Sequence, residues 1–205
     1  IMHVLPQQYI VDNNDGIKDP LGLSGHRLEA KVHLVTSSIN TENDILTCLD
    51  KIGINVIDFI LEPLASSCAV LSKDEMELGS ILIDIGGGTT DIIAYGHGSV
   101  LQTGVVPIGG EIITKDIAYR IQSSIDQAEK LKRKYGKAKV SLSSDEENIS
   151  IKGLDGRNDI TISEKILSEV IEPRMKEIFE LTNIEIEQSD FKGSFTFGII
   201  LTGGG

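Results

Sequence analysis

The stretch Asp84-Ile85-Gly86-Gly87-Gly88-Thr89-Thr90-Asp91 constrains this chain more than any other. Ser80-Ile81-Leu82-Ile83 before it and Ile92-Ile93-Ala94-Tyr95 after it both read as apolar strands. Three glycines, flanked by hydroxyls and closed by an aspartate at each end, therefore occupy a tight strand–turn–strand hairpin. Backbone amides freed of side chains converge in such a turn and take phosphate oxygens. Two carboxylates repel a bare phosphate, so the arrangement suits a phosphate carried with a divalent cation. A P-loop is excluded, because no lysine comes after the glycines and no helix opens on them. A dinucleotide-binding turn is excluded as well, since the segment after Asp91 is short, β-branched and ends at Gly96. The alternative is a hairpin with no ligand, yet an unbroken Gly-Gly-Gly is more flexible than a turn requires and costs conformational entropy.

Composition narrows the partners. The 205 residues are 40% apolar, enough to bury a core in one large or two small domains. A net charge of −12 excludes nucleic acid as the main partner, since phosphate backbones demand a basic face. Cys48 and Cys68 lie in apolar surroundings without paired spacing and read as buried thiols in a reducing compartment. His3, His26, His33 and His97 are too scattered to form a metal cluster. No run approaches the ~18–20 apolar residues that span a bilayer, and no signal peptide is visible, so a soluble, cytosolic chain is expected. Both ends, Ile1-Met2-His3-Val4 and Leu201-Thr202-Gly203-Gly204-Gly205, read as those of an excerpt from a longer protein.

Along the chain, the first third reads as a small α+β unit. Leu28, Ala30, Val32 and Leu34 alternate with Glu29, Lys31 and His33, which predicts a half-buried strand with the apolar set inward. Thr41-Glu42-Asn43-Asp44 predicts a helix start; Ile45, Leu49 and Ile52 share a face, and Gly53 ends the helix. Residues 55–61 predict a second strand. Residues 62–71 predict a helix with Pro63 in its first turn, and 73–77 an acidic loop. A strand over 100–107 precedes Gly109-Gly110, which opens a helix carrying Ile113, Ile117 and Ile121; its N-terminal amides favour anions. A cationic helix over 126–135 ends at Gly136. Short strands between 139 and 162, with turns at 145–147 and 153–156, suggest a small β insertion. A long helix then carries Ile166, Val170, Ile171 and Phe179, broken or kinked at Pro173. A last strand, 195–201, enters a second triple glycine.

Two triple-glycine turns, each behind an apolar strand, are far more specific together than either alone. With Gly109-Gly110-Glu111 between them, they resemble the actin-like ATPase superfamily of actin, hexokinase and the heat-shock chaperones. Residues 84–91 look like its second phosphate motif and 199–205 like its adenosine motif. Val4-Leu5-Pro6-Gln7-Gln8-Tyr9, the segment 16–25, Glu62-Pro63-Leu64-Ala65-Ser66, the segment 85–92 and Ile171-Glu172-Pro173-Arg174 are similar, in order, to stretches of the FtsA family of bacterial cell-division actin homologues.

The resemblance implies an α/β, actin-like (ribonuclease-H-like) ATPase fold, present in part, with a small α+β subdomain (1C) at residues 1–60. Residues 61–79 would then be a remnant of the first actin-like half (1A). Residues 80–205 would form the second half (2A), with a 2B-like insertion at about 120–165. It further implies ATP and Mg²⁺ as ligands. Asp84 would hold the metal, usually through water. Gly86, Gly87, Gly88 and Thr89 would form the phosphate loop, Thr90 and Asp91 would complete the nucleotide-binding turn with Asp91 closing it, and Glu62 would lie near the attacking water. Gly109, Gly110 and Glu111 would stand beside the ribose. Glu129, Lys132 and Arg133 would clasp the adenosine through E-x-x-K-R spacing, with Gly203, Gly204 and Gly205 as the adenosine turn. The region from Arg120 to Leu181 lies in or beside the part that receives the FtsZ C-terminal tail, with Arg174 as a candidate contact.

The family's first phosphate loop and its C-terminal membrane-anchoring helix have no counterpart here, so these residues alone are expected neither to hydrolyse ATP nor to bind lipid. The function implied is a nucleotide-switched adaptor that polymerises and links FtsZ to the inner face of the plasma membrane at the division site. Other divisome proteins would bind residues 1–60. Two alternatives share the fold: a sugar- or acetate-kinase-type phosphotransferase, and a PilM-like pilus-assembly protein. Nothing in residues 1–60 suggests the catalytic aspartate a kinase needs, and the segment 16–25 favours FtsA over PilM.

Overall fold

The alternating segments at the start of the chain form a three-stranded antiparallel sheet. Its strands are β1 (His3–Val11), β2 (Asn14–Ile17) and β3 (Leu28–Val35), with β1 in the middle. The computed structural model in which they are seen describes residues 1–145, 148–151, 159–187 and 195–205. Pro6 of β1 has no N–H to give the ladder, and the register with β3 slips immediately after it, between Pro6 and Gln8. The Asp12 carboxylate closes the far end by accepting the backbone N–H groups of His26 and Arg27, each at 2.9 Å.

The apolar face of β3 is not buried as expected, and only His33 and Val35 of the strand are covered. Leu28, Val32 and Leu34 are exposed, whereas His33 is half-buried and its Nε2 lies 2.9 Å from the Thr103 hydroxyl. Alternation specifies two faces; which one is covered depends on what packs there, and here it is His33 that meets a residue of another sheet, Thr103. Helix α1 (Ile39–Asp50) likewise buries none of its residues. It begins earlier than the Thr41–Asp44 start read from sequence, with Ser38 as its N-cap. Residues 55–61 form no strand, because no partner among the described residues completes their ladder. Cys48 and Cys68 are both exposed, not buried.

Helix α2 (Glu62–Val70) starts with proline in its first turn, as expected. The acidic loop expected over 73–77 is instead helix α3 (Lys73–Leu78). Ser72 accepts from the Glu75 amide, and the Glu75 carboxylate accepts from the Ser72 amide. This is a capping box, and it satisfies two groups that would otherwise melt so short a helix. The glycine hairpin joins β4 (Ser80–Ile85) to β5 (Thr90–Gly96), and β6 (Ser99–Val106) comes next. With β9 (Ile199–Thr202) they make one sheet in the order β6-β5-β4-β9, where β9 runs parallel to β4 and pairs Asp84 with Thr202. Leu82, Ile93 and Tyr95 of this sheet pack with Leu71 and Val100 into one core.

The remaining helices are α4 (Gly110–Ile121), α5 (Ile125–Tyr135) and α6 (Glu164–Glu187). Ile113, Ile117 and Ile121 are all buried, as their spacing predicts. Pro173 lies inside α6, which runs through it as one continuous helix. The β insertion is a hairpin of β7 (Asn148–Ile151) and β8 (Ile160–Ser163), and Ile149, Ile151 and Ile162 join the α4–α6 core. The turns read at 153–156 and, apart from Asp145, at 145–147 lie outside the described residues.

Two compact units result. One comprises Ile1–Asp84, Ile92–Gly104 and the described part of Phe191–Thr202. The other comprises Ile85–Asp91, the described part of Val105–Asp190 and Gly203–Gly205. No helix among the described residues is long and apolar enough to cross a membrane.

Candidate functional site

In the second unit, three chain segments meet on one loop. Three successive loop carbonyls are occupied: Ile85 accepts the Gly205 N–H at 2.9 Å, Gly86 the Gly110 N–H at 2.9 Å, and Gly87 the Glu111 N–H at 2.8 Å. The Gly86 amide closes the turn onto the Thr89 carbonyl at 2.9 Å. The amides of Gly87, Gly88 and Thr89 meet no acceptor among the described residues, and all three residues are exposed. The loop is thus electrically lopsided, with the oxygens of Ile85, Gly86 and Gly87 paired inward and the N–H dipoles of Gly87, Gly88 and Thr89 open, which is the arrangement of an anion-binding nest. This corrects one expectation. The first two amides of α4 are not free for an anion, because they are spent holding the loop.

The glycines divide into two kinds. A β-carbon on Gly109 would lie 2.4 Å from the Gly86 oxygen, one on Gly205 2.2 Å from that same oxygen, and one on Gly110 2.4 Å from the Gly205 carbonyl carbon. These three are glycine because backbone meets backbone. Gly87, Gly88 and Gly204 face open space within 4 Å, and none has a left-handed φ. Nothing inside the protein requires glycine there; bare backbone at these positions leaves room for something outside it. Gly203 has φ of +105° and needs glycine for its conformation.

Side chains complete the surroundings. Thr90 donates its hydroxyl to the Ile108 carbonyl at 2.8 Å, fixing the approach to α4, and Thr89 donates to the Asp91 carboxylate at 3.0 Å. On α5, Ser124 caps the helix and Gly136 ends it. The Lys132 ammonium donates to the Gly110 carbonyl at 3.0 Å and pairs with Glu129 Oε2 at 2.8 Å. Hydrogen bonds from Lys132 first, then Thr114, hold the Glu129 carboxyl below the usual carboxylate range. Arg133 is exposed, and Glu111 is exposed with Lys115 beside it at 3.1 Å. The structure therefore brings residues 86–91, 109–111, 129, 132 and 203–205 together within this unit.

In the first unit, Asp84 is the penultimate residue of β4 and its Oδ2 accepts the Ser66 hydroxyl at 2.6 Å. Glu62 is an exposed acid in the first turn of α2, a position that favours negative charge whatever else it does. Among the described residues no group of three or more His, Cys, Asp or Glu side chains gathers as metal ligands.

Arg174 is not the open cation that an acidic ligand would meet first. Its guanidinium bridges Asp116 of α4 and, at 2.6 Å, Glu177 of α6. Those two carboxylates raise its pKa further, Asp116 the more. It lines a depression of about 380 Å³ with Tyr119, Val170 and Pro173, where Glu169 adds a further acid and Arg120 a further base. Sequence reading missed Thr114, Ser66 and the two acids on Arg174. Glu177 stands one turn from Arg174 on α6, whereas Thr114, Ser66 and Asp116 meet their partners only through tertiary packing.

Comparison with known proteins places this architecture. A model of "Cell division protein FtsA" matches residues 81–203, and one of the "SHS2 domain inserted in FTSA" matches residues 1–36. Cell division protein FtsA of Pseudomonas aeruginosa is 43% identical over 204 residues, covering 100% of this chain and 49% of that protein. FtsA of Escherichia coli K12 is 40% identical over 211 residues, covering 100% and 50%. The chain thus spans about half the length of these relatives. Among solved structures, MreB5 of Spiroplasma citri bound to AMPPNP aligns with TM-score 0.67 and 20% identity, over 82% of this chain and 54% of that one. A PilM–PilN type IV pilus biogenesis complex aligns with TM-score 0.63 and 17% identity, over 100% and 49%. The fold shared with these structures is the actin-like one, of which this chain carries a part. Matched by the family model over more than half its length and by FtsA proteins from end to end, the chain belongs to the FtsA family.

Proposed function

We propose that these residues form the phosphate- and adenosine-holding part of a cell-division protein that binds ATP with Mg²⁺. The observation that carries this is the loop at Gly87, Gly88 and Thr89, whose amides stand open while the carbonyls of Ile85, Gly86, Gly87 and Thr89 are taken. Glycines at 87, 88 and 204 that no internal packing demands support the same reading. On it, the amides of Gly87, Gly88 and Thr89 take phosphate oxygens while Gly86, Thr90 and Asp91 shape the turn, Asp84 takes the cation through water, and Gly109, Gly110 and Glu111 lie along the ribose. Glu129, Lys132, Arg133 and the turn 203–205 hold the nucleoside. Glu62, in the other unit, is carried over from the family resemblance alone.

Carbonyls that tie Gly110, Glu111 and Gly205 to one loop make nucleotide binding a conformational signal more readily than a route to turnover. The whole protein would polymerise, bind the FtsZ C-terminal tail and act at the cytoplasmic face of the plasma membrane at the division site. Its membrane anchor would lie outside these residues. Residues 1–60 would serve as the 1C-like subdomain toward other divisome proteins, 61–79 as part of 1A, and 80–205 as 2A with the 2B-like insertion. At the proposed tail site, Tyr119, Val170 and Pro173 offer apolar contact. The pairing of Arg174 with Asp116 and Glu177 means an acidic tail has to displace one of them.

The test is calorimetric titration of the full-length protein with ATP and Mg²⁺, paired with co-sedimentation on anionic vesicles with an FtsZ C-terminal peptide. Binding lost in Gly88→Val, with peptide recruited to vesicles by the unaltered protein, is the expected result. Phosphoryl transfer to a small alcohol or acid without recruitment would replace this reading with the kinase one.

A further inference from the structure

A buried hydroxyl stands behind the Glu129–Lys132 pair. Thr114 is 2% exposed, on the inner face of α4, where valine would fill the same volume without a polar atom. A hydroxyl there has one proton and two acceptors in reach: the Gly110 carbonyl at 3.2 Å and Glu129 Oε2 at 2.5 Å. The shorter, charged partner wins that proton. The Gly110 carbonyl is served instead by Lys132, whose ammonium also pairs with the same Oε2. Glu129 is therefore held twice by one oxygen, while no donor among the described residues meets its Oε1. Its side chain is 39% exposed, and Lys132 lies 3.2 Å from where a Gly110 β-carbon would stand, a β-carbon that would also crowd Gly205.

We propose that Thr114 is a positioning residue for nucleoside selection: its hydroxyl fixes Glu129 through Oε2 so that Oε1 accepts a sugar hydroxyl. This rests on the nucleotide reading above and adds to it a preference for hydroxylated sugar that depends on Thr114. A flexible glutamate would have to be ordered at the moment of binding. One already pinned by a threonine and a lysine presents its free oxygen at no such cost. A hydrogen bond to a carboxylate gives about 1.5–3 kcal/mol, so losing the sugar hydroxyls weakens binding roughly 10- to 100-fold.

The experiment measures the affinity of the full-length protein for ATP and for 2′,3′-dideoxy-ATP, each with Mg²⁺. The unaltered protein should prefer ATP by roughly 10-fold or more. Thr114→Val should bring the ratio to within about three-fold with little change in the dideoxy affinity, and Thr114→Ser should restore it. Glu129→Gln provides a second reading should valine disturb the fold, and it should also lower the ratio. Equal weakening of both nucleotides by Thr114→Val, or a full ratio retained in Glu129→Gln, overturns the proposal. Equal binding of the two nucleotides by the unaltered protein also overturns it, while leaving the nucleotide reading intact. No binding of either refutes both.

Discussion

Replacing Gly109 with alanine tests whether the start of α4 and the glycine loop act as one joint. The added methyl falls 2.4 Å from the Gly86 oxygen and 2.7 Å from the Gly87 oxygen, and both are backbone atoms with no flexible end to swing aside. The helix start must back away. The two bonds that bind it to the loop, Gly110 N–H to Gly86 and Glu111 N–H to Gly87, are then lost together. Each is worth about 1 kcal/mol net, so their loss costs about 2–3 kcal/mol, against about 0.5 kcal/mol returned by the stiffer unfolded chain. A net of about 2 kcal/mol corresponds to roughly 30-fold more frequent opening. The assay is amide hydrogen exchange at residues 110 and 111 in the full-length protein, which should accelerate by about that factor. Gly88→Ala is the control, because its methyl would meet nothing within 4 Å. Unchanged protection in Gly109→Ala, or the same acceleration in Gly88→Ala, would refute the reasoning.

Other contacts give three more expected outcomes. Glu164 is buried and accepts from Lys137 at 2.6 Å, so Lys137→Ala should lower stability by about 2–4 kcal/mol, with Glu164→Gln recovering part of it in the double variant; thermal denaturation reads both. The Tyr95 hydroxyl lies 2.8 Å from the Ser67 hydroxyl, which donates to Leu64, so Tyr95→Phe should cost about 1 kcal/mol in chemical denaturation. The Glu129 carboxyl is depressed by Lys132 and Thr114 in the folded protein. Its stabilisation is complete above the ordinary carboxylate value and fades as acid takes the pH down through the folded one. Thr114→Val should flatten that acid limb, and a carboxyl resonance of Glu129 unmoved by the substitution would argue against it.

Much of the site was legible because glycine runs and apolar strands are local signals. The triple glycines, the helix opening at Gly110 and the buried triad Ile113, Ile117 and Ile121 all stand where their spacing puts them. Helix α3 was legible too, in the Ser72–Glu75 capping pair, but its acidic composition reads first as a loop. The faces of β3 were not legible, because alternation is symmetric and only the His33–Thr103 contact settles which side is covered. Nor was the fate of the α4 amides. Carbonyls of residues 86 and 87 are invisible to a reading of side chains, yet they decide where those amides point.

The junction of Ile85 with Gly205 has a consequence for how the protein is made. Strand β4 finds its parallel partner β9, and the loop its third donor, only at the far end of the sequence described here, after α4, α5 and α6 have been synthesised. A nascent chain that has already built those helices still lacks the last N–H on the Ile85 carbonyl. Long-range parallel pairing of this kind forms late, once loop closure has been met. The glycine loop is therefore among the first segments translated in its unit and among the last completed, because the Ile85 carbonyl gains its donor only when Gly205 has been made.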